Sequence, residues 1–193
     1  METQKNDPSD RELRLSRVLD APVELVWEVW TQPDHIVQWW GPDGFTITID
    51  LMEMRPGGEW HLVMHGPDGT DFVSRAVFKE VVPLKRIVYE HLMTGQKFTA
   101  TIEFEARGQK TLMNWHALFE TAEQFIEMVK TFKGNERLKQ TVENLNRYLI
   151  NQSKTNNHAG FILGFYSYCT YWHYSECPGQ FRICTGQRYP DVL

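Results

Sequence analysis

The sequence predicts one α+β domain over residues 11–150: a curved antiparallel sheet of about six to seven strands wrapped around a long C-terminal helix. Three observations carry this. Apolar and polar residues alternate with period two in a series of short segments bounded by Gly, Pro and Asp turns. Two short helical segments with one apolar face each follow the first strand. Beyond residue 121 the pattern changes to a helical period.

The elements follow in order. Residues 1–10 are expected to be disordered. Residues 11–19 alternate, with Leu13, Leu15 and Arg17 on one face and Arg14, Ser16 and Val18 on the other. Asp20-Ala21-Pro22 opens a helix, because Pro at the first turn loses no needed N–H. Val23, Val26, Trp27 and Trp30 form its apolar face. Thr31-Gln32-Pro33 breaks it and starts a second short helix with Ile36, Trp39 and Trp40 inward, ended by Gly41-Pro42. Phe45, Ile47, Ile49 and Leu51 then share one strand face, and Trp60, Leu62 and Met64 another after the Arg55-Pro56-Gly57-Gly58 turn. Gly66-Pro67-Asp68-Gly69 marks a hairpin. Residues 71–82 and 86–93 are strands joined at Pro83-Leu84-Lys85. Phe98, Ala100, Ile102 and Phe104 alternate cleanly, and residues 111–119 form the last strand. Thr121 and Gln124 fit a capping box. The stripes Phe125, Met128, Val129, Phe132 and Leu138, Val142, Leu145, Leu149 are out of register, so a break is expected near Gly134, followed by a helix to about residue 150. This last helix is the one long element able to cover the apolar face of the sheet, and a bent sheet around one helix leaves a natural cavity.

Composition narrows the function classes. The chain has 193 residues, 41% hydrophobic and 23% charged, with formal net charge −5. Mild acidity argues against nucleic acid as a partner. The N-terminus carries no signal-peptide pattern and no run suits a membrane helix, so a cytoplasmic protein with no membrane partner is expected. The composition shifts near Asn151: residues 1–150 have net charge −6, whereas residues 151–193 have +1 and hold all three cysteines, Cys169, Cys177 and Cys184. The segment Asn151–Asn157 reads as a linker. The aromatic tail behind it has neither helical nor strand period, and is read as a frameshifted or otherwise non-native end, with a hydrophobic partner-binding tail as the alternative. On that reading, a chain truncated at Leu149 folds and binds ligand as the full chain does; loss of folding or binding on truncation makes the tail part of the structure.

Four stretches, in order and at consistent spacing, carry a resemblance to a known family. They are Leu19-Asp20-Ala21-Pro22-Val23-Glu24-Leu25-Val26-Trp27 leading to Thr31-Gln32-Pro33-Asp34; Trp39-Trp40-Gly41-Pro42 with Gly44-Phe45; Arg55-Pro56-Gly57-Gly58-Glu59-Trp60 leading to His65-Gly66-Pro67-Asp68-Gly69; and Val82-Pro83-Leu84-Lys85-Arg86-Ile87-Val88-Tyr89. Residues 11–150 thereby resemble the SRPBCC (START-like, birch-pollen-allergen-like) superfamily, in its branch named for the activator of the heat-shock protein ATPase, the AHSA-like domain. The resemblance implies the helix-grip fold, an apolar-ligand cavity and a stress-related context. It implies no reaction, since the superfamily spans carriers, receptors and enzymes.

The candidate ligand-binding residues are Trp39, Phe45, Trp60, Met64, His91, Phe98, Ile102, Met113, Trp115 and Phe132. For each apolar member the competing reading is ordinary core, because aromatics and methionines fill cores as readily as they line pockets. His91 shares a strand face with Tyr89 and Met93; if that face is inward, it is the polar group that orients a ligand or moves a proton. His61 and His65 lie roughly 13 Å apart on a strand and cannot chelate one ion. The spacing of Cys169, His173, Cys177 and Cys184 fits no zinc module. No catalytic residue, metal or cofactor is assigned. The first reading is therefore a binding protein for a small apolar molecule. Behind it stand an enzyme of the cyclase, dehydratase or hydrolase kind, and a chaperone-associated interaction module. A homodimer is compatible with the sequence.

Overall fold

The computed structural model describes residues 8–93, 97–130 and 133–163. A 3-10 turn, Pro8–Arg11, leads into β1 (Glu12–Leu19), followed by α1 (Val23–Thr31) and α2 (Pro33–Ile36). Six strands come next: β2 (Thr46–Met52), β3 (Glu59–His65), β4 (Asp71–Val82), β5 (Arg86–His91), β6 (Phe98–Arg107) and β7 (Lys110–Phe119). Helices α3 (Ala122–Lys130) and α4 (Gly134–Leu163) complete the order. The seven strands form one antiparallel sheet in the order β1-β7-β6-β5-β4-β3-β2, so β1 crosses over to pair with the last strand.

The alternation expected from the sequence sets the inward face. The pairings Leu15↔Trp115, Trp115↔Ile102, Ile102↔Ile87 and Tyr89↔Phe78 run across neighbouring strands on one side, and all but Leu15 are buried. Leu51 departs from it. The pairing shifts between Ile49 and Leu51, so Asp50 is an extra residue on β2; Leu51 turns outward, 40% exposed, and Met52 takes the inward place opposite Trp60. A bulge sets two residues against one and reverses the alternation beyond it. The next turn is close-packed: a Cβ on Gly58 would run into the Glu53 carbonyl, and the Gly57 and Gly58 backbones exchange hydrogen bonds with Phe78.

The capping position at Thr121 is present, with the Gln124 N–H donating to Thr121 Oγ1 at 3.3 Å. The helix breaks before Gly134, where Lys133 takes a left-handed φ of 50°. The expected stop near residue 150 is absent, because α4 continues to Leu163 through the segment read as a linker. Residues 151–159 contain neither Gly nor Pro, so nothing in the sequence there stops a helix already nucleated. Cys169, His173, Cys177 and Cys184 lie outside the described residues, as does the rest of the aromatic tail beyond Leu163.

The middle of α4 is fixed to the rest of the domain. Val142, Leu145 and Leu149 are buried beneath it. Around that apolar stripe, Asn144 Nδ2 donates to the Gly41 carbonyl at 3.1 Å and the Tyr148 hydroxyl meets His35 Nδ1 at 2.8 Å. The buried Asn146 accepts from the Asp20 N–H at 2.9 Å and donates to Asp20 Oδ2 at 3.3 Å. Lys110 Nζ lies 2.7 Å from the same carboxylate, and its hydrogen bond, with that of Asn146, holds Asp20 below the ordinary value of 3.8. A lowered carboxylate pKa favours the fold above the ordinary value, and the benefit is lost as the pH falls through the lowered one. Asp20→Asn is therefore expected to lower the urea midpoint near neutral pH, with the difference from wild type shrinking as the pH falls through the lowered value and the Asp20 carboxylate takes up its proton.

Candidate functional site

The concave face of the sheet is filled unevenly. At the end nearest α1 and α2, tryptophans from both helices and the sheet pack ring against ring. Trp30 lies 5.0 Å from Trp39 and 5.1 Å from Trp115, and Trp40 lies 4.8 Å from Trp60 and 5.6 Å from Trp115. Most of these pairs are tilted or edge-on, the geometry that ring quadrupoles favour. Trp60 then stacks on Phe78 at 5.8 Å and meets Tyr89 edge-on at 5.5 Å.

Beyond this wall the space between sheet and α4 is not filled. A partly open cavity of about 450 Å³ lies under the first two turns of α4. Its floor comes from inward positions of β3 to β7: Met64, Phe72, Ser74, Tyr89, His91, Phe98, Ala117 and Phe119. Trp40 and Trp115 form the inner end, the Gly41–Phe45 region and Met128 stand at the sides, and Gly134, Arg137, Leu138 and Thr141 of α4 make the roof. The exposed Asp71 and Val73 mark the mouth. Gly134 is needed for the roof to close on α3, since a Cβ there would stand 2.9 Å from Met128 Cγ.

The walls are mostly apolar, with a small polar group at the floor. His91 is 8% exposed; its ring stacks on Phe98 at 4.8 Å and 9°, and Nε2 lies 3.2 Å from Ser74 Oγ. Tyr89, two residues earlier on the same face, is buried, and burial pushes its phenol well above the ordinary 10. The Thr141 hydroxyl donates to the Arg137 carbonyl and so is used within the helix.

Of the ten residues singled out from the sequence, Phe45, Met64, His91, Phe98 and Trp115 are brought together on the cavity wall. Four are not on it. Trp39 is buried in the tryptophan cluster, with Nε1 donating to the Val29 carbonyl at 3.3 Å. Trp60 is packed between Trp40, Phe78 and Tyr89. Ile102 and Met113 point inward but sit at the filled end, where both are fully buried. These four are core because the α1–α2 aromatics cover their part of the sheet. Phe132 lies outside the described residues. Sequence reasoning missed Ser74, Tyr89 and Arg137. Ser74 carried a usable signal, being the one polar residue in the inward series Phe72, Ser74, Ala76, Phe78.

His61 and His65 are not in the cavity lining; they pair with Glu59 and Asp71, each at 2.6 Å, on the outer part of the strands. Among the described residues no three His, Cys, Asp or Glu side chains converge as a metal site, and no helix is long and apolar enough to cross a membrane.

The fold and this cavity define a helix-grip domain of the SRPBCC kind. Residues 20–150 match the family described as Activator of Hsp90 ATPase homolog 1-like protein, and the chain belongs to that family. Among solved structures, a Nitrosomonas europaea protein is 27% identical with a TM-score of 0.67, covering 76% of this chain and 98% of its own. An Arthrobacter aurescens protein is 23% identical with a TM-score of 0.70, covering 76% and 90%. An AHSA1 protein of Silicibacter pomeroyi is 19% identical with a TM-score of 0.60, covering 73% and 99%. The latter two show the shared fold alone. No curated protein matched the chain.

The wall between the filled and open halves rests on Trp40, which touches the rings of Trp30, Trp39, Trp60 and Trp115. Trp40→Ala is expected to lower the unfolding free energy by about 3 kcal/mol or more, read from denaturant titrations.

Proposed function

We propose that the protein binds a small apolar molecule in the cavity beneath the start of α4. One observation carries this reading: about 450 Å³ stays unfilled between the sheet and the start of α4, lined mostly by Met, Phe, Trp and Leu side chains. The volume falls within the roughly 300–1,000 Å³ of small-molecule pockets. Walls without neighbours forfeit dispersion contacts, and an occupant that restores them stabilises the folded state. Met64, Met93 and Met128 add unbranched thioethers that adjust to ligands of differing shape. Ser74, Tyr89 and His91 supply the few polar groups that orient a bound molecule.

A second reading, hydrolysis of an apolar ester, is favoured by one contact, Ser74 Oγ at 3.2 Å from His91 Nε2, the pairing of a hydroxyl with a base. It rests on that contact alone, so binding ranks first.

The test uses a neutral apolar fluorophore, N-phenyl-1-naphthylamine, whose emission rises in an apolar site. Wild type is expected to bind it saturably. Ala117→Leu, which projects three more carbons into the cavity from near the C-terminal end of β7, is expected to weaken binding by about tenfold or more while leaving the unfolding midpoint near wild type, because the added atoms enter free space. Equal binding by both proteins places the dye elsewhere and ends the cavity reading.

A further inference from the structure

We infer that the occupant of this cavity is an amphiphile with an anionic head, a carboxylate in the simplest case, and that Arg137 is the residue that selects it. The inference rests on the cavity-binding reading above and adds the chemistry of the head group.

Arg137 lies in the first turn of α4, and its side chain is part of the cavity roof. Its guanidinium carbon stands 5.6 Å from the centre of the Phe45 ring, held over the aromatic face. Phe45 in turn meets Phe72 at 5.9 Å, and Phe72 adjoins the exposed Asp71 and Val73 at the mouth. This chain of contacts places the cation at the mouth, where a head group emerges from an apolar interior.

Most of the other arginines among the described residues are already engaged. Arg14, Arg17, Arg55, Arg86 and Arg107 pair with glutamates at 2.6–3.2 Å, and Arg11 donates to two backbone carbonyls. Arg137 has no carboxylate within ion-pair distance among the described residues, and its guanidinium lies against the aromatic face of Phe45. A half-buried guanidinium keeps five donors in a rigid fork suited to a two-oxygen anion. Asp71 is the one carboxylate in the cavity lining, and Oδ1 accepts from His65 Nδ1 at 2.6 Å while the Thr48 hydroxyl meets His65 Nε2 at 2.9 Å. That chain engages Oδ1 of Asp71 with His65 rather than with Arg137.

The floor fits the other end of such a molecule. Between Arg137 at the mouth and Trp115 at the inner end, Met64, Phe72, Phe98 and Phe119 offer an apolar path. A neutral apolar molecule fills the same path but leaves the guanidinium without an anion. A cationic amphiphile meets like charge.

The experiment compares decanoate with decanol, two chains of equal length differing in the head, by calorimetric titration of the full chain below the micelle concentration. Wild type is expected to bind decanoate about tenfold more tightly than decanol, with the preference shrinking as salt is added. Arg137→Gln is expected to abolish the preference, bringing the ratio of decanoate to decanol affinity to about one. Arg137→Lys, which keeps the charge but not the fork, is expected to retain part of it. Circular dichroism of both variants should match wild type. Equal affinity for the two ligands in wild type, or a preference that survives Arg137→Gln, overturns the assignment of the head group and leaves the cavity reading standing. Failure of both ligands to bind overturns the cavity reading, and this inference with it.

Discussion

The structure depends on how α4 is held. Its middle is bound tightly, by Val142, Leu145 and Leu149 beneath it and by the polar contacts of Asn144, Asn146 and Tyr148 around them. Its first two turns are held more lightly: Gly134 meets Met128, Arg137 lies over Phe45 and Leu138 packs at the edge of the core, with the cavity beneath them. A straight helix anchored at one part cannot follow a curved sheet along its whole length. The gap follows from that mismatch, and the tryptophan wall decides where it stops.

The wall also explains why one inward face serves two purposes. Strands β3 to β7 carry apolar side chains along their full concave side, and α1 with α2 covers only one end of them. Under the helices the residues are core, fully buried and ring-packed. Past Trp40 and Trp115 the same alternation produces a lining. Substituting a residue in the first half removes packing that the fold uses, whereas a residue in the second half is free to respond to an occupant.

Much of this was legible in the sequence. The position of each strand was legible, and period two put Trp60, Leu62 and Met64 on one face and Tyr89 with His91 on one face; that the latter face is the inward one is seen only in the structure. Leu51 was misplaced because the bulge at Asp50 inserts a residue without a glycine to announce it. The choice between core and cavity was not legible. Ile102 and Phe98 belong to the same face of β6 and differ only in which end of the strand α1 and α2 cover, a tertiary fact with no local signature. Arg137 escaped for a related reason: the helical period placed Leu138 and Val142 inward, and a charged neighbour at the edge of that stripe reads as solvent-facing until the position of Phe45 is known. The end of α4 was also missed, because a polar stretch without Gly or Pro resembles a linker in composition and a helix in propensity.

The central claim is that an apolar molecule enters the space beneath the start of α4 and nowhere else in the domain. Six of the seven methionines report on it directly, since Met64, Met93 and Met128 line the cavity whereas Met52, Met54 and Met113 do not. With methyl-labelled methionine and a neutral apolar ligand titrated into the full chain, the account predicts progressive, saturable shifts of the first three methyl signals with the other three nearly unmoved. Shifts spread evenly over all six, or confined to the second set, would contradict it.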